Sequence, residues 1–239
     1  MEQIYTIPVN EAFDDSRDNP ECGCPICTLF KRQQENELEI ILGASMMEPT
    51  IRVETNRRGF CSEHYGMMLR RKNRLGMALM LESHLDELRD ELFPRGLAAI
   101  GGQARAERRM QELECSCYVC SRIEFALSRM IETAVLLWER DYDFRRKLAA
   151  QPHFCLPHYR RLVSYGAKRL GKRDRADFLA EMQRIELAAY DALREDIKEF
   201  CRGFDYRAAE APPSEGSKTS VDRTVRFLSA REGRDVKPT

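Results

Sequence analysis

The strongest constraint on this chain is a cysteine motif that it contains twice. Glu21-Cys22-Gly23-Cys24-Pro25-Ile26-Cys27 has a counterpart in Glu114-Cys115-Ser116-Cys117-Tyr118-Val119-Cys120. Each copy is followed by a second element. Phe60-Cys61-Ser62-Glu63-His64-Tyr65 comes 33 residues after Cys27, and Phe154-Cys155-Leu156-Pro157-His158-Tyr159 comes 34 residues after Cys120. The unit Cys-x2-Cys…Cys-x2-His therefore occurs twice, offset by 93 to 94 residues. It reads as an internal duplication carrying two metal sites. Two thiolates three residues apart grip one tetrahedral ion, and a distant pair completes the shell. Taken repeat by repeat, the sequence groups Cys24, Cys27, Cys61 and His64 at one site. It groups Cys117, Cys120, Cys155 and His158 at the other. The plain alternative is buried thiols at chance spacing. The Phe before Cys61 and Cys155 and the Tyr after each His speak against it.

Thiolate and imidazole donors suit zinc. Two zinc ions are the expected cofactors, with an iron–sulfur cluster as the alternative. Four protein ligands leave no open position for water, which points to a structural role. Such a site contributes on the order of 10 kcal/mol to folding. Cys22 and Cys115 keep other readings open. They are turn residues, or thiols that exchange with a ligand under oxidation. They are otherwise part of iron–sulfur sets, Cys22, Cys24, Cys27 and Cys61, and Cys115, Cys117, Cys120 and Cys155. Cys201 reads as a packing thiol, and His153 as a group supporting the second knuckle.

The composition narrows the class. Lys+Arg and Asp+Glu are both 39, so the net charge is zero. That argues against a dedicated nucleic-acid binder, which carries a net basic field. No run approaches the roughly 18 apolar residues of a membrane helix, and residues 1–15 lack the pattern of a secretory signal. The expectation is a cytoplasmic protein. Nine cysteines in a reducing compartment are then metal ligands rather than disulfide partners.

Hydrophobic periodicity predicts an all-α fold of two pseudo-repeats, each a metal knuckle with long packed helices. Residues 1–96 and 104–203 are the repeats, residues 97–103 a Gly/Ala linker, and residues 204–239 a flexible tail with a short helix from Val221 to Glu232. Ile4 to Val9 reads as an extended arm, Asp14 to Pro20 as polar loop, and Met46 to Gly59 as a long surface connection. Helices are expected over Thr28–Leu42, Ser62–Asn73, Gly76–Phe93, Ala104–Leu113, from Cys120 towards Ala150, after Cys155 to Leu170, and Asp174–Cys201. Their stripes are Met77, Leu81, Leu85, Leu88 and Leu92; Ile123, Leu127, Met130, Ala134 and Leu137; and Phe178, Met182, Ile185, Ala189, Leu193, Ile197 and Phe200.

Other candidates have simpler explanations. His84 flanks an apolar stripe and reads as a boundary histidine. Arg70, Arg71, Lys72 and Arg74, and Arg160, Arg161, Lys168, Arg169, Lys172 and Arg173, suit helix C-termini. A nucleic-acid surface there is conceivable but not favoured, because no aromatic motif accompanies it. Glu48, Arg52, Glu54 and Asn56 lie in a stretch without a counterpart in the second repeat and read as holding that stretch down. No phosphate loop, nucleophile elbow or haem signature is present, and no catalytic residue is assigned.

The chain resembles a bacterial family of unknown function. The resemblance runs through Ile4 to Phe13, Cys24-Pro25-Ile26-Cys27, Met46-Met47-Glu48-Pro49, Glu54-Thr55-Asn56, Gly59-Phe60-Cys61 with His64, Lys72-Asn73-Arg74-Leu75, Cys117 with Cys120, and Phe154-Cys155-Leu156-Pro157-His158. Members are sometimes labelled ABC-transporter substrate-binding proteins, a label this sequence does not support. The resemblance implies no activity. The expected role is a zinc-stabilised scaffold or partner-binding protein, with an unidentified protein as partner. A thiol-based redox or metal sensor and a zinc-thiolate or iron–sulfur enzyme are the alternatives.

Overall fold

The computed structural model describes residues 3–94, 102–204 and 214–230. Among these residues the regular structure is helical throughout. The α-helices are α1 (Thr6–Asp18), α2 (Pro25–Leu42), α3 (Pro49–Arg58), α4 (Ser62–Arg70), α5 (Arg74–Leu92), α6 (Gly102–Cys115), α7 (Tyr118–Arg140), α8 (Tyr142–Ala149), α9 (Leu156–Arg169), α10 (Lys172–Arg202) and α11 (Glu215–Ser229). Short 3-10 turns cover Gln3–Tyr5, Pro20–Cys22 and Ala44–Met47.

Several expectations are corrected. The stretch expected to be an extended arm and loop is a 3-10 turn and α1. Pro8 falls in the first turn of α1, where a missing N–H costs nothing. Val9, Ala12, Phe13 and Ser16 form the buried face of α1 at helical spacing. The long connection contains α3, which opens with Pro49 and closes on Gly59 at φ 59°. Helix α5 starts earlier than expected, because the Asn73 side chain caps it by accepting from the Gly76 N–H at 2.9 Å. Its core contacts are Gly76, Met77 and Met80, while Leu85 is exposed. Cys201 is exposed rather than packed. The final helix begins at Glu215, capped by Ser214, so residues 215–220, expected as flexible tail, are helical. Residues 205–213 and 231–239 of the expected tail, the latter with the end of its expected helix, and most of the expected linker lie outside the described residues.

The chain forms two compact units whose limits differ from those of the sequence repeats. One comprises Met1–Lys31 and Leu127–Glu232, and the other is built on Arg32–Ala126. In the first, Phe13 packs on Phe144 at 4.9 Å and on Phe154 at 6.1 Å between ring centroids. Trp138 meets Phe178 edge-on at 5.0 Å, and the Arg145 guanidinium lies 4.1 Å from the Trp138 ring. Helix α10 packs on α8, α9 and α11. In the second unit α5 packs on α3, α4 and α6 around Met68, Met77 and Met80. Polar contacts hold α3 there. Asn56 Nδ2 donates to the Ser83 carbonyl at 3.3 Å, and Arg52 reaches Ser83 Oγ at 2.9 Å.

Helix α9 approaches α10 closely at Gly166. A Cβ there would lie 2.4 Å from Phe178 Cε1, well inside contact distance, and Phe178 is fully buried. Gly166→Ala is therefore expected to destabilise the protein by about 1–3 kcal/mol, the range typical of overpacking. Equilibrium urea unfolding measures it. An unchanged midpoint would show that the two helices part freely.

Candidate metal centres

Four Cys-containing pairs do the same local job. Cys24 immediately precedes α2 and Cys27 is its third residue, and Cys117 and Cys120 hold the same positions on α7. Cys61 is the N-cap of α4 with His64 third, and Cys155 is the N-cap of α9 with His158 third. In each case the carbonyl of the leading cysteine accepts the first helical hydrogen bond. The donors are Thr28, Ser121, Tyr65 and Tyr159, at 2.8–3.3 Å. N-cap and third position are the two places whose side chains converge over a helix N-terminus. Unpaired N–H groups and the helix dipole make that end favourable for thiolates.

These pairs assemble into two clusters, each within one compact unit. Cluster one is Cys24, Cys27, Cys155 and His158, and cluster two is Cys61, His64, Cys117 and Cys120. The eight residues are those expected, but the grouping is not. Each Cys-x2-Cys pair meets the Cys-x2-His pair of the other repeat. The physical reason lies in helix lengths. Helix α2 carries the chain about 22 Å from Cys27, whereas α3 spans about 15 Å on the way to Cys61. Helix α7 rises about 35 Å, and α8 returns about 12 Å before Cys155. Neither chain segment brings its own second pair back.

Within each cluster the donor atoms lie within 4.8 Å of one another. In cluster one Cys27 Sγ is 3.6 Å from Cys155 Sγ. His158 Nδ1 is 3.6 Å from Cys24, 3.4 Å from Cys27 and 3.1 Å from Cys155. In cluster two Cys61 Sγ is 3.9 Å from Cys120 Sγ, and His64 Nδ1 is 3.1 Å from Cys61 and 3.4 Å from Cys117 and Cys120. A tetrahedral ion with metal–sulfur bonds of about 2.3 Å has sulfur–sulfur edges of about 3.8 Å. Both clusters could hold such an ion. Cys22 and Cys115 are exposed and belong to neither cluster, so the alternative four-cysteine sets are not assembled.

The surroundings differ. The Gln34 amide lies 3.1 Å from His64 Nε2 and is buried. The atom of Gln34 that faces the ring is its amide Nε2, on the side of the imidazole away from the thiols, so the amide fixes the orientation in which Nδ1 meets them. Around cluster two, Ser116 Oγ donates to the Arg58 carbonyl at 2.6 Å and the Tyr118 N–H to the Gly59 carbonyl at 2.9 Å. Arg109, buried and paired with Glu91, donates to the Asn56 and Arg57 carbonyls. These contacts fix the end of α3 against the knuckle at α7. Around cluster one, Ser16 Oγ donates to the Gly23 carbonyl at 2.6 Å, and Gly23 takes φ 73°. His153 lies beside Gly23, and its imidazolium is disfavoured by burial.

Protons are unevenly shared among the clustered thiols. Hydrogen bonds from Cys155 and Cys24 hold the Cys27 thiol far below its ordinary range, while burial pushes Cys24 up. Hydrogen bonds from Cys117 and Cys120 lower Cys61, and Cys120 is raised because its S–H donates to Cys117 and Cys61. Burial pulls His64 down, but its contacts with Cys117 and Cys61 outweigh that and raise it to about 9.

A model of a family of unknown function, DUF6062, matches residues 1–235. The chain belongs to that family. It has no significant match among curated proteins or among solved structures. Among its described residues, no helix is long and apolar enough to cross a membrane.

One group that sequence reasoning missed supports cluster one. Glu186 of α10 is buried and accepts from the Phe154 N–H at 3.2 Å, directly before Cys155. Helical spacing alone hides it, since it sits beside Ile185 of the apolar stripe. Burial raises its carboxyl to about 7. Below about pH 4.5 folded and unfolded states both hold this proton, and up to about 7 only the folded state keeps it. Its contribution therefore falls as pH rises through that window and is lost above it. Unfolding midpoints from pH 5 to 8 should show the wild type losing stability with rising pH relative to Glu186→Gln. Parallel curves would refute the assignment.

The exchanged grouping has its own test. Cys155→Ser should loosen the start of α2, so amide hydrogen exchange should speed up over residues 24–28 and stay unchanged over residues 117–121. The opposite pattern would restore pairing within each sequence repeat.

Proposed function

We propose that the protein is a zinc-stabilised scaffold or partner-binding protein of the cytoplasm, with one structural zinc ion in each cluster. The observation that carries this reading is the near-tetrahedral spacing of three sulfurs and one imidazole nitrogen in both clusters. Three thiolates and a histidine fill a zinc shell, and a filled shell holds chain segments together rather than activating water. All nine cysteines are free, as suits a reducing compartment. Partner binding is supported by Val221, Val225 and Leu228 of α11, an apolar stripe that is exposed among the described residues. An all-helical architecture is also not that of a periplasmic substrate-binding protein.

A second reading, a thiol sensor, is favoured by one observation. The exposed Cys22 lines the same cavity as the thiols of cluster one. Cys22→Ser separates the two. A scaffold keeps its metal and its behaviour towards peroxide, whereas a sensor loses peroxide-triggered metal release.

Metal analysis of protein purified without air should find about two zinc ions per chain and no visible absorption band. Iron with sulfide, or a folded chain free of metal, would overturn the proposal. Zinc must displace protons, and below pH 9 the metal-free His64 carries one, so affinity at cluster two should fall as pH is lowered. Titration calorimetry in buffers of different ionisation enthalpy measures the protons released.

A further inference from the structure

A cavity of about 460 Å³ adjoins cluster one, with Cys24, Cys27 and Cys155 in its wall. Its size lies within the range of small-molecule sites. By contrast, a cavity within the other unit, between Phe60, Tyr65 and His84, holds about 10 Å³ and has no cluster thiol in its wall.

The walls of the larger cavity differ in chemistry. Helix α10 contributes Ala188, Ala189 and Ala192, whose short side chains make the room, and Leu193, so its wall is apolar. Helix α11 contributes Arg223 and Arg226, one turn apart. Arg223 is paired with Asp196 at 2.8 Å. Arg226 has no acidic partner among the described residues. The knuckle loop adds Glu21, which is exposed. Three cluster thiolates around a divalent ion carry a net negative charge, so a charged anionic group is repelled from that wall and attracted to α11.

We propose that this cavity binds a small amphiphilic anion, a carboxylate or phosphate with a short apolar body. The anionic group is held by Arg226, and the body lies along the alanines of α10 towards the thiols. The guanidinium fork matches either head group. The apolar end is what the negatively charged cluster tolerates. The cavity is built of protein atoms, so the proposal stands apart from the identity of the metal. Loss of metal binding is read by metal content, and loss of anion binding by calorimetry.

The test uses the full chain with three probes of one chain length: octanoate, octyl phosphate and octanol. Isothermal titration should find one anion, or both, binding at least tenfold more tightly than octanol, and the tighter of the two identifies the head group. Arg226→Gln should weaken anion binding about tenfold, the size of one charge-assisted contact, and leave octanol unchanged. Ala192→Phe should fill the cavity and remove binding of all three. Circular dichroism and metal content should match the wild type in both variants. Arg226 is exposed, so its variant reads the proposal even where Ala192→Phe disturbs packing. Equal affinity for octanol, no anion binding, or anion binding untouched by Arg226→Gln would each overturn it.

Discussion

The structure depends on pairs of helix N-termini meeting over shared sulfur. Helices α2 and α9 meet at cluster one, and α4 and α7 at cluster two. A helix N-terminus offers unpaired N–H groups and a partial positive charge, and ordinarily a Ser, Thr or Asp side chain caps it. Here a cysteine stands in that place four times. Two such ends alone repel each other. Thiolates between them offset that repulsion, and a divalent ion held by three of them would leave a net negative charge that attracts both ends. Each cluster thus sets the origin of two helices at once. The remaining elements, such as α1 and α8 around Phe13 and Phe144, pack on helices already positioned.

The exchanged grouping follows from which cost is larger. Cys27 and Cys155 are 128 positions apart, and Cys61 and Cys120 are 59 apart. Closing the longer span instead of the 33 residues to Cys61 costs only about 1 kcal/mol more in chain entropy, because closure grows with the logarithm of length. Bending α2 or α7 back would break several helical hydrogen bonds and expose apolar faces, a larger loss. Helix continuity wins over sequence proximity. The result is nested, with the span joined at cluster two lying inside the span joined at cluster one. Closing the inner cluster shortens the effective loop of the outer one.

What could be read from the residues was whatever depends on local spacing. The eight clustered residues were legible as candidates because Cys-x2-Cys and Cys-x2-His are helix-start patterns. Helices α7 and α10 were legible because Ile123 to Leu137 and Phe178 to Leu193 repeat at helical period. The grouping was not, since it is set by the rise of α2 and α7 against α3 and α8. Helix α3 was hidden for a different reason. Its buried residues are Thr55 and Asn56, and its packing rests on hydrogen bonds to Ser83 and Arg109, which hydrophobic periodicity does not register. Helix α1 was hidden because Ile4 and Ile7, which look like its apolar residues, are exposed, while Val9, Ala12 and Phe13 form the inner face.

Two clusters with the same donors have nevertheless been given different surroundings. At cluster two a buried amide orients His64 and Arg109 ties down the neighbouring carbonyls, so these groups serve one another, while His84 Nδ1 beside Gly59 is buried without a partner. At cluster one the nearby polar groups are less fully engaged. Glu186 has one carboxylate oxygen buried without a partner, His153 leans towards the neutral form, and Cys22 stands exposed in the cavity wall. A site whose polar groups are mutually satisfied is suited to holding structure, since any change leaves a buried group unpaired. A site with spare polar capacity beside an open volume is suited to exchange with what enters it. The same four-donor solution can therefore serve as a fastening in one unit and as the wall of a binding site in the other.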